Sequence, residues 1–383
     1  MVAAVRRGES QRSVARRLGR SLRTIQRWLE RAGSNRLDRV DWADRRRGPK
    51  RPINRVAAEV EENVLAVRTA LKNTSALGEY GAIAIREEMI RHSLSAPSVR
   101  TIGRILERRG ALDGKPRIRR LPPPPGWYLP DVAQGRSELD SFDTITGLAI
   151  RSVTEVVVLN GVSVHGRLPS SWPLERITSK IVVELLLERW RTFGLADYAQ
   201  FDNDTLFQGP HQYRDVVGRV IRACLSLGIT PVFAPPREPG FQNAIESMNA
   251  RWQAKVWSRF QHRSLTELRE RSDRFIEASR IRSATRIQRI PTRRPFPAGW
   301  SLNIQDHPAG TLIFLRRTSD SGSVSLLGRT FDVDSHWLHR LVRAEVNLTL
   351  NRIRFVALRR STPDVQSLLS EVPYELPRRP FDD

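Results

Sequence analysis

The sequence predicts an α/β core with helical modules before it and a small β-barrel after it. Three observations lead there. From about 136 to 283, β-rich apolar runs of strand length alternate with helix-length apolar periodicity. Ahead of that region, two stretches at 1–33 and 55–113 carry 3.6-residue stripes punctuated by Gly and Ser. Behind it, 308–360 alternates apolar and polar residues with period two.

Residues 1–33 read as a helix-turn-helix. Val14, Ala15 and Leu18 form an apolar stripe, Gly19 makes the turn, and Ser21 caps a second helix that turns Ile25, Trp28 and Leu29 inward. This leaves Arg20, Arg23, Thr24, Gln26 and Arg27 outward, residue types that read base edges and phosphates. Residues 34–54 read as a basic linker, because Arg45-Arg46-Arg47-Gly48-Pro49-Lys50-Arg51-Pro52 offers nothing to bury. Such an arm either lies in a DNA minor groove or is a solvated tether. Residues 55–113 repeat the theme as a second helix-turn-helix or winged helix. A long helical pattern from Val56 to Leu71 leads to Ile83, Ile85 and Met89, then to a helix from Ser98 to Arg109. That last helix turns Val99, Ile102 and Ile105 inward and Arg100, Arg104 and Arg108 outward. Residues 114–135 hold Lys115, Arg117, Arg119, Arg120 and the prolines from Pro122 to Pro125, a stiff basic linker.

Within the core, strands are expected at Leu139 to Ile145, Val153 to Leu159 and Ser163 to Leu168, and a helix from Leu174 to Phe193. A strand at Tyr198 to Asp202, a helix at Val216 to Leu227, a strand at Pro231 to Ala234 and a helix from Ala244 to Phe260 come next. Three strands, then helix, strand, helix, strand and helix, is the element order of the ribonuclease H fold. Residues 284–307 read as a linker. In the small β-barrel at 308–360, Asp320-Ser321-Gly322 marks one hairpin, and Asn351 turns between Val346, Leu348, Leu350 and Ile353, Phe355, Ala357. Residues 361–383 read as a tail.

The 383-residue chain carries a formal charge of +23, and all but five of its 64 basic residues are arginine. A positive field of that size selects polyanions, nucleic acid foremost, with an acidic lipid surface as the alternative. The single Cys224 excludes disulfides and cysteine-ligated zinc within one chain, and its apolar helical neighbours mark it as a buried hydrophobe. The lone histidines His165, His211 and His262 make no ligand pattern. No stretch has the apolar length of a membrane span and the N-terminus has no secretory apolar region, so a cytoplasmic protein without membrane partners is expected.

Chemistry concentrates in carboxylates. Asp202 closes a strand, and Glu246 opens a helix 43 intervening residues later. An acid on the first strand would complete a divalent-metal cage, and Asp140 and Asp143 both lie there. Three residues apart on a strand, they face opposite sides of the sheet, so only one of them enters the site.

These motifs carry a resemblance. Ser10 to Trp28 resembles the helix-turn-helix of bacterial insertion-sequence transposases. Glu138-Leu139-Asp140, Gln200-Phe201-Asp202-Asn203-Asp204 and Ile245-Glu246-Ser247-Met248-Asn249 resemble the catalytic core of retroviral-integrase-like DDE transposases. The resemblance implies a catalytic, metal-binding triad of Asp140, Asp202 and Glu246 that holds two Mg²⁺ ions, with Mn²⁺ able to substitute. It also implies hydrolysis and strand transfer on transposon-end and target DNA by a homo-oligomer. A non-catalytic regulator derived from a transposase is the alternative. The chain departs from the family in having Asp204 where glycine is usual, a longer interval before Glu246, and Ala250 where relatives place a lysine. On the helix bearing Glu246, the basic stripe Arg251, Lys255 and Arg259, at i, i+4 and i+8, is suited to gripping DNA.

Overall fold

The computed structural model describes residues 1–43, 56–112, 125–150, 153–210, 213–238, 240–360 and 362–381. The chain divides into two compact units, Met1–Glu61 and Glu62–Asp383.

The first unit is built on α1 (Val2–Arg6), α2 (Gln11–Arg17) and α3 (Leu22–Ala32). Ser10 and Ser21 cap α2 and α3, each hydroxyl accepting the N–H of the residue three further on at 3.2 Å. Gly19 turns the chain at φ +60°, as the sequence implied. Ala4, Val14, Ala15 and Ile25 form the centre, and Leu18, expected in that stripe, is instead 40% exposed. The basic linker expected from residue 34 begins later. Val40 is buried beside Ala32 and Val2, and the Trp42 ring packs 5.6 Å from Trp28 while its N–H donates to the Leu37 carbonyl. Arg45 to Pro52, the expected minor-groove arm or tether, lies outside the described residues.

The second unit opens with helices α4 (Ala58–Thr74), α5 (Ala82–Arg91) and α6 (Val99–Arg108). Ile85, Met89, Ile102, Ile105 and Leu106 are buried, whereas Val99, expected inside, is exposed, as is Ile83. Among the described residues 56–112 there are helices and no strand. The expected linker at 114–135 ends early too. Trp127, Tyr128, Leu129 and Val132, around α7 (Pro130–Ala133), are buried in the core. Lys115 to Arg120 lie outside the described residues.

The core has the expected element order: β1 (Leu139–Ile150), β2 (Val153–Ser163), β3 (Pro169–Leu174), α8 (Ser179–Phe193), β4 (Tyr198–Phe201), α9 (Thr205–Gln208), α10 (Arg219–Ser226), β5 (Thr230–Phe233) and α11 (Asn243–Trp252). A single turn of π-helix, Gln253–Trp257, continues α11, and α12 (Leu265–Ile287) lies against β3, a long helix the sequence reading did not name. The strands run β3-β2-β1-β4-β5, with β2 antiparallel to both neighbours and β1, β4 and β5 parallel. Trp190 of α8 and Ile221 of α10 pack with Phe142, Phe201 and Phe233 on one face. On the other face, Ile245, Met248 and Trp252 of α11 pack with Leu139, Ile145 and Val232.

The C-terminal strands β6 (Thr311–Arg317), β7 (Ser323–Leu326), β8 (Arg329–Asp332), β9 (Leu341–Asn347), β10 (Arg352–Ala357) and β11 (Leu368–Pro373) do not make the expected separate barrel. β6 pairs in parallel with β5, Phe233 opposite Phe314, and β9, β10 and β11 extend the sheet to nine strands, with β7-β8 a separate hairpin. Period-two alternation reports that a strand has two unlike faces, and an open extension satisfies it as well as a closed barrel. The expected linker and tail are likewise pinned down. Leu195 bridges to Arg294, Trp300 packs on the core, and Tyr374 and Leu376 are buried.

Candidate functional site

The parallel register of β1 and β4 positions the site. Asp140 lies opposite Ala199 and Ser141 opposite Gln200; the same register carried two positions further brings Asp143 level with Asp202. Each of these aspartates comes directly after a phenylalanine, and the two rings stack beneath the sheet with centroids 5.6 Å apart. Strand alternation then turns Asp143 and Asp202 to the opposite face, the face covered by α11. Glu246 stands exposed in the first turn of that helix. Gly161, beneath Phe142, permits this packing: a Cβ there would sit 2.7 Å from the ring.

Asp140 is not part of this group. It points to the α8 face, is fully buried, and is held by two arginines. Arg189 donates to its oxygens at 3.2 and 2.9 Å, Arg293 at 3.1 and 2.6 Å, and the Trp190 indole at 3.2 Å. Burial alone would raise its carboxyl; Arg189 and Arg293 more than offset that and hold it well below the usual carboxylate range. The residue that the sequence motif favoured is therefore the anchor of a buried ion-pair cluster, and Asp143 takes the place beside Asp202.

Asp143 has the opposite electrostatics. Burial, then the charges of Asp202 and Glu246, push its carboxyl up to about 6, against the pull of the Thr144 N–H and the Asn249 amide. Asn249 Nδ2 donates to Asp143 at 2.7 Å, and Asn160, opposite Asp143 on β2, donates to Asn249 Oδ1 at 2.8 Å. Asn160 is a site residue that the sequence reading missed, although an asparagine inside the apolar run Val156 to Val164 was its signal. Burial also raises the Asp202 carboxyl, opposed by the Asp204 N–H that donates to it at 3.0 Å. Asp204, the departure from the family pattern, caps α9 by accepting the Leu206 N–H at 2.8 Å. Beside it, Asn203 bridges the Ala234 carbonyl and the buried Arg316, whose guanidinium burial lowers to about 10.

Among the described residues, no three His, Cys, Asp or Glu side chains already stand close enough to hold a metal ion. The donor set nevertheless has the chemistry of a divalent-cation site: hard oxygens on adjacent strands, mutually repelling.

The basic stripe on α11 is broken up. Arg251 is exposed, but the π turn rotates the residues beyond it, and Lys255 Nζ donates to the Gly78 carbonyl at 3.0 Å. Arg259 donates to the carbonyls of Ser75 at 2.6 Å and Asn73 at 3.1 Å. Arg259 thus closes the C-terminal end of α4 and Lys255 holds the loop after it, so neither stands free. In the first unit Arg20, Arg23, Gln26 and Arg27 are exposed, while the Thr24 hydroxyl is tied to Ser21 at 2.8 Å. Arg100 and Arg104 are exposed on α6. His165 and His262 bond backbone carbonyls through Nε2, and His211 lies outside the described residues. No described helix is long and apolar enough to cross a membrane.

Residues 1–62 match the family model for the winged helix-turn helix. Solved structures similar to the chain include the catalytic core domain of BIV integrase, at 15% identity and a TM-score of 0.26 over 36% of this chain and 80% of that one. The HTLV-2 integrase catalytic core domain in complex with magnesium matches at 11% and 0.26 over 36% and 82%. The simian T-cell lymphotropic virus intasome in complex with PP2A regulatory subunit B56 gamma matches at 14% and 0.33 over 78% and 95%. No curated protein matches the chain.

Proposed function

We propose that the protein is a DNA-cutting and DNA-joining enzyme of the transposase or integrase kind, with a ribonuclease H-like core whose metal ligands are Asp143, Asp202 and Glu246. The observation that carries this is the alignment of Asp143 with Asp202 on adjacent parallel strands, under a helix whose Glu246 repels Asp143. Repulsion of that kind is what a protein tolerates when a cation relieves it. Divalent ions held there, Mg²⁺ or Mn²⁺, would activate an attacking oxygen and stabilise the leaving one. Asn249, itself fixed by Asn160, orients the Asp143 carboxylate; the Asp204 N–H does the same for Asp202. Glu246, on an exposed first turn, has the rotamer freedom to close as the third ligand. Exposed Arg23, Gln26 and Arg27 on α3, and Arg100 and Arg104 on α6, would read transposon-end DNA, with more than one copy assembling to bring two ends together. An Asp143→Asn chain should bind end DNA and fail to nick it in Mg²⁺ or Mn²⁺. Binding without nicking by the wild-type chain would leave a DNA-binding regulator instead.

A further inference from the structure

A cavity of about 700 Å³ lies beside the helix that carries Glu246. Arg167, Arg251, Arg282, Arg286 and Arg289 line it, and Glu79 is its one acid. Glu79 is taken: it pairs with Arg282 at 3.4 Å, and Arg282 also reaches Glu87. Among the described residues, Arg286 and Arg289 have no ion pair, Arg167 has only the weaker opposing charge of Glu138, and Arg251 bonds only the Ser247 carbonyl of its own helix. Burial, then the charges of Arg286 and Arg251, lower the Arg167 guanidinium, so these cations press on one another. A protein gathers uncompensated guanidinium groups in one concavity to meet a polyanion.

We infer that this cleft takes the phosphates of one DNA strand and leads that strand past Ser247 and Arg251 toward Glu246. About 700 Å³ of concavity accommodates part of one strand rather than a whole duplex. Its arginines converge from α11 (Arg251), α12 (Arg282 and Arg286) and the flanking segments at Arg167 and Arg289. The inference rests on the DNA-processing reading for the identity of the polyanion, and makes no use of catalysis.

The test measures binding of a labelled, mixed-sequence, single-stranded DNA oligonucleotide by the full chain, in chelator, across a salt series. Arg251→Gln/Arg286→Gln/Arg289→Gln should flatten the slope of log affinity against log salt by about 2, since each lost phosphate contact on a single strand removes about 0.7. Affinity at low salt should fall roughly tenfold or more. Lysine at the same three positions should retain the slope, separating charge from misfolding. Arg378→Gln/Arg379→Gln, exposed residues away from the cavity lining, should leave it unchanged. An unchanged slope in the glutamine triple variant overturns the cleft, as does an equal loss in the Arg378/Arg379 pair. Because the readout needs no metal, a flattened slope in a chain that never nicks DNA would keep the cleft and discard the nuclease reading.

Discussion

Replacing Asp140 and Asp143 by asparagine, one at a time, separates the structural acid from the proposed metal ligand. Asp140 is fully buried between Arg189, itself fully buried, and Arg293. Asparagine there keeps the volume but leaves two guanidinium groups facing no charge. Removing one partner of a buried pair costs about 3–5 kcal/mol, a fall of roughly 5–15 °C in Tm for a unit of this size. Asp143 should behave in the opposite way. Its carboxyl is pushed up to about 6 from 3.8, so at neutral pH its ionised form is held at a cost of up to about 3 kcal/mol at 1.36 kcal/mol per unit. Partial solvent access trims this to about 1–2 kcal/mol. The Asn160 Oδ1 atom has no partner. Turning the Asn160 and Asn249 amides over therefore lets Asn249 accept from the introduced amide and donate to Asn160 without losing a bond. Asp143→Asn should melt at or above the wild-type temperature without metal, yet show only background nicking of end DNA in Mg²⁺. Asp140→Asn, where it folds, should nick normally per folded molecule. Thermal melting by circular dichroism and a supercoiled-plasmid or end-DNA nicking assay read both. A stable, inactive Asp140→Asn together with an active Asp143→Asn would refute the assignment.

The same geometry makes further outcomes testable. Because the Asp143 carboxyl is raised on folding, the native state binds more protons than the unfolded state between about pH 4 and 6, so stability should fall as pH rises through that window. Asp143→Asn should flatten that dependence in a pH series of denaturant melts. Above pH 6, millimolar Mg²⁺ should raise the wild-type Tm and chelator should reverse it, while Asp143→Asn shows little response. Lys255→Ala/Arg259→Ala should release the end of α4 and the loop after it, giving several-fold faster amide exchange across 73–80 with the sheet unchanged. Arg23→Ala and Arg27→Ala should each weaken binding of the preferred duplex roughly tenfold, more than that of a scrambled one, in a mobility-shift assay.

Much of this was legible in the chain itself. The element order of the core, the Ser21 cap, the Gly19 turn and the hairpin at Asn351 depend on local chemistry, and local chemistry is written in sequence. Asp202 and Glu246 stand out in the sequence because each is expected at an element boundary, and the structure places them there, just after β4 and in the first turn of α11. Asp140 faces α8, away from Asp202, for a tertiary reason. Strand alternation shows that Asp140 and Asp143 face opposite sides, but which side meets α11 depends on how β1 packs. One signal was present: Phe142-Asp143 repeats Phe201-Asp202, and two parallel neighbours with the same dipeptide in register must present both acids on one face. The lysine and arginine of the α11 stripe were misjudged because a π turn has no sequence signature strong enough to override an apparent i, i+4 spacing. The basic cleft was invisible for a related reason: its arginines come from separate segments and meet only in the fold.

The register of β1 on β4 also sets where this chain can tolerate insertions. Two of the proposed ligands are spaced by the sheet, whose strands lie about 4.8 Å apart whatever the loops do. The segment from Asn203 to Gln242 leaves the site and returns to it, so added residues there lengthen a detour without moving either end. A single residue added to β1 between Ser141 and Phe142 would instead turn Asp143 toward α8 and set a phenylalanine beside Asp202. Relatives should therefore vary in length around 209–216 and keep β1 free of insertions and deletions.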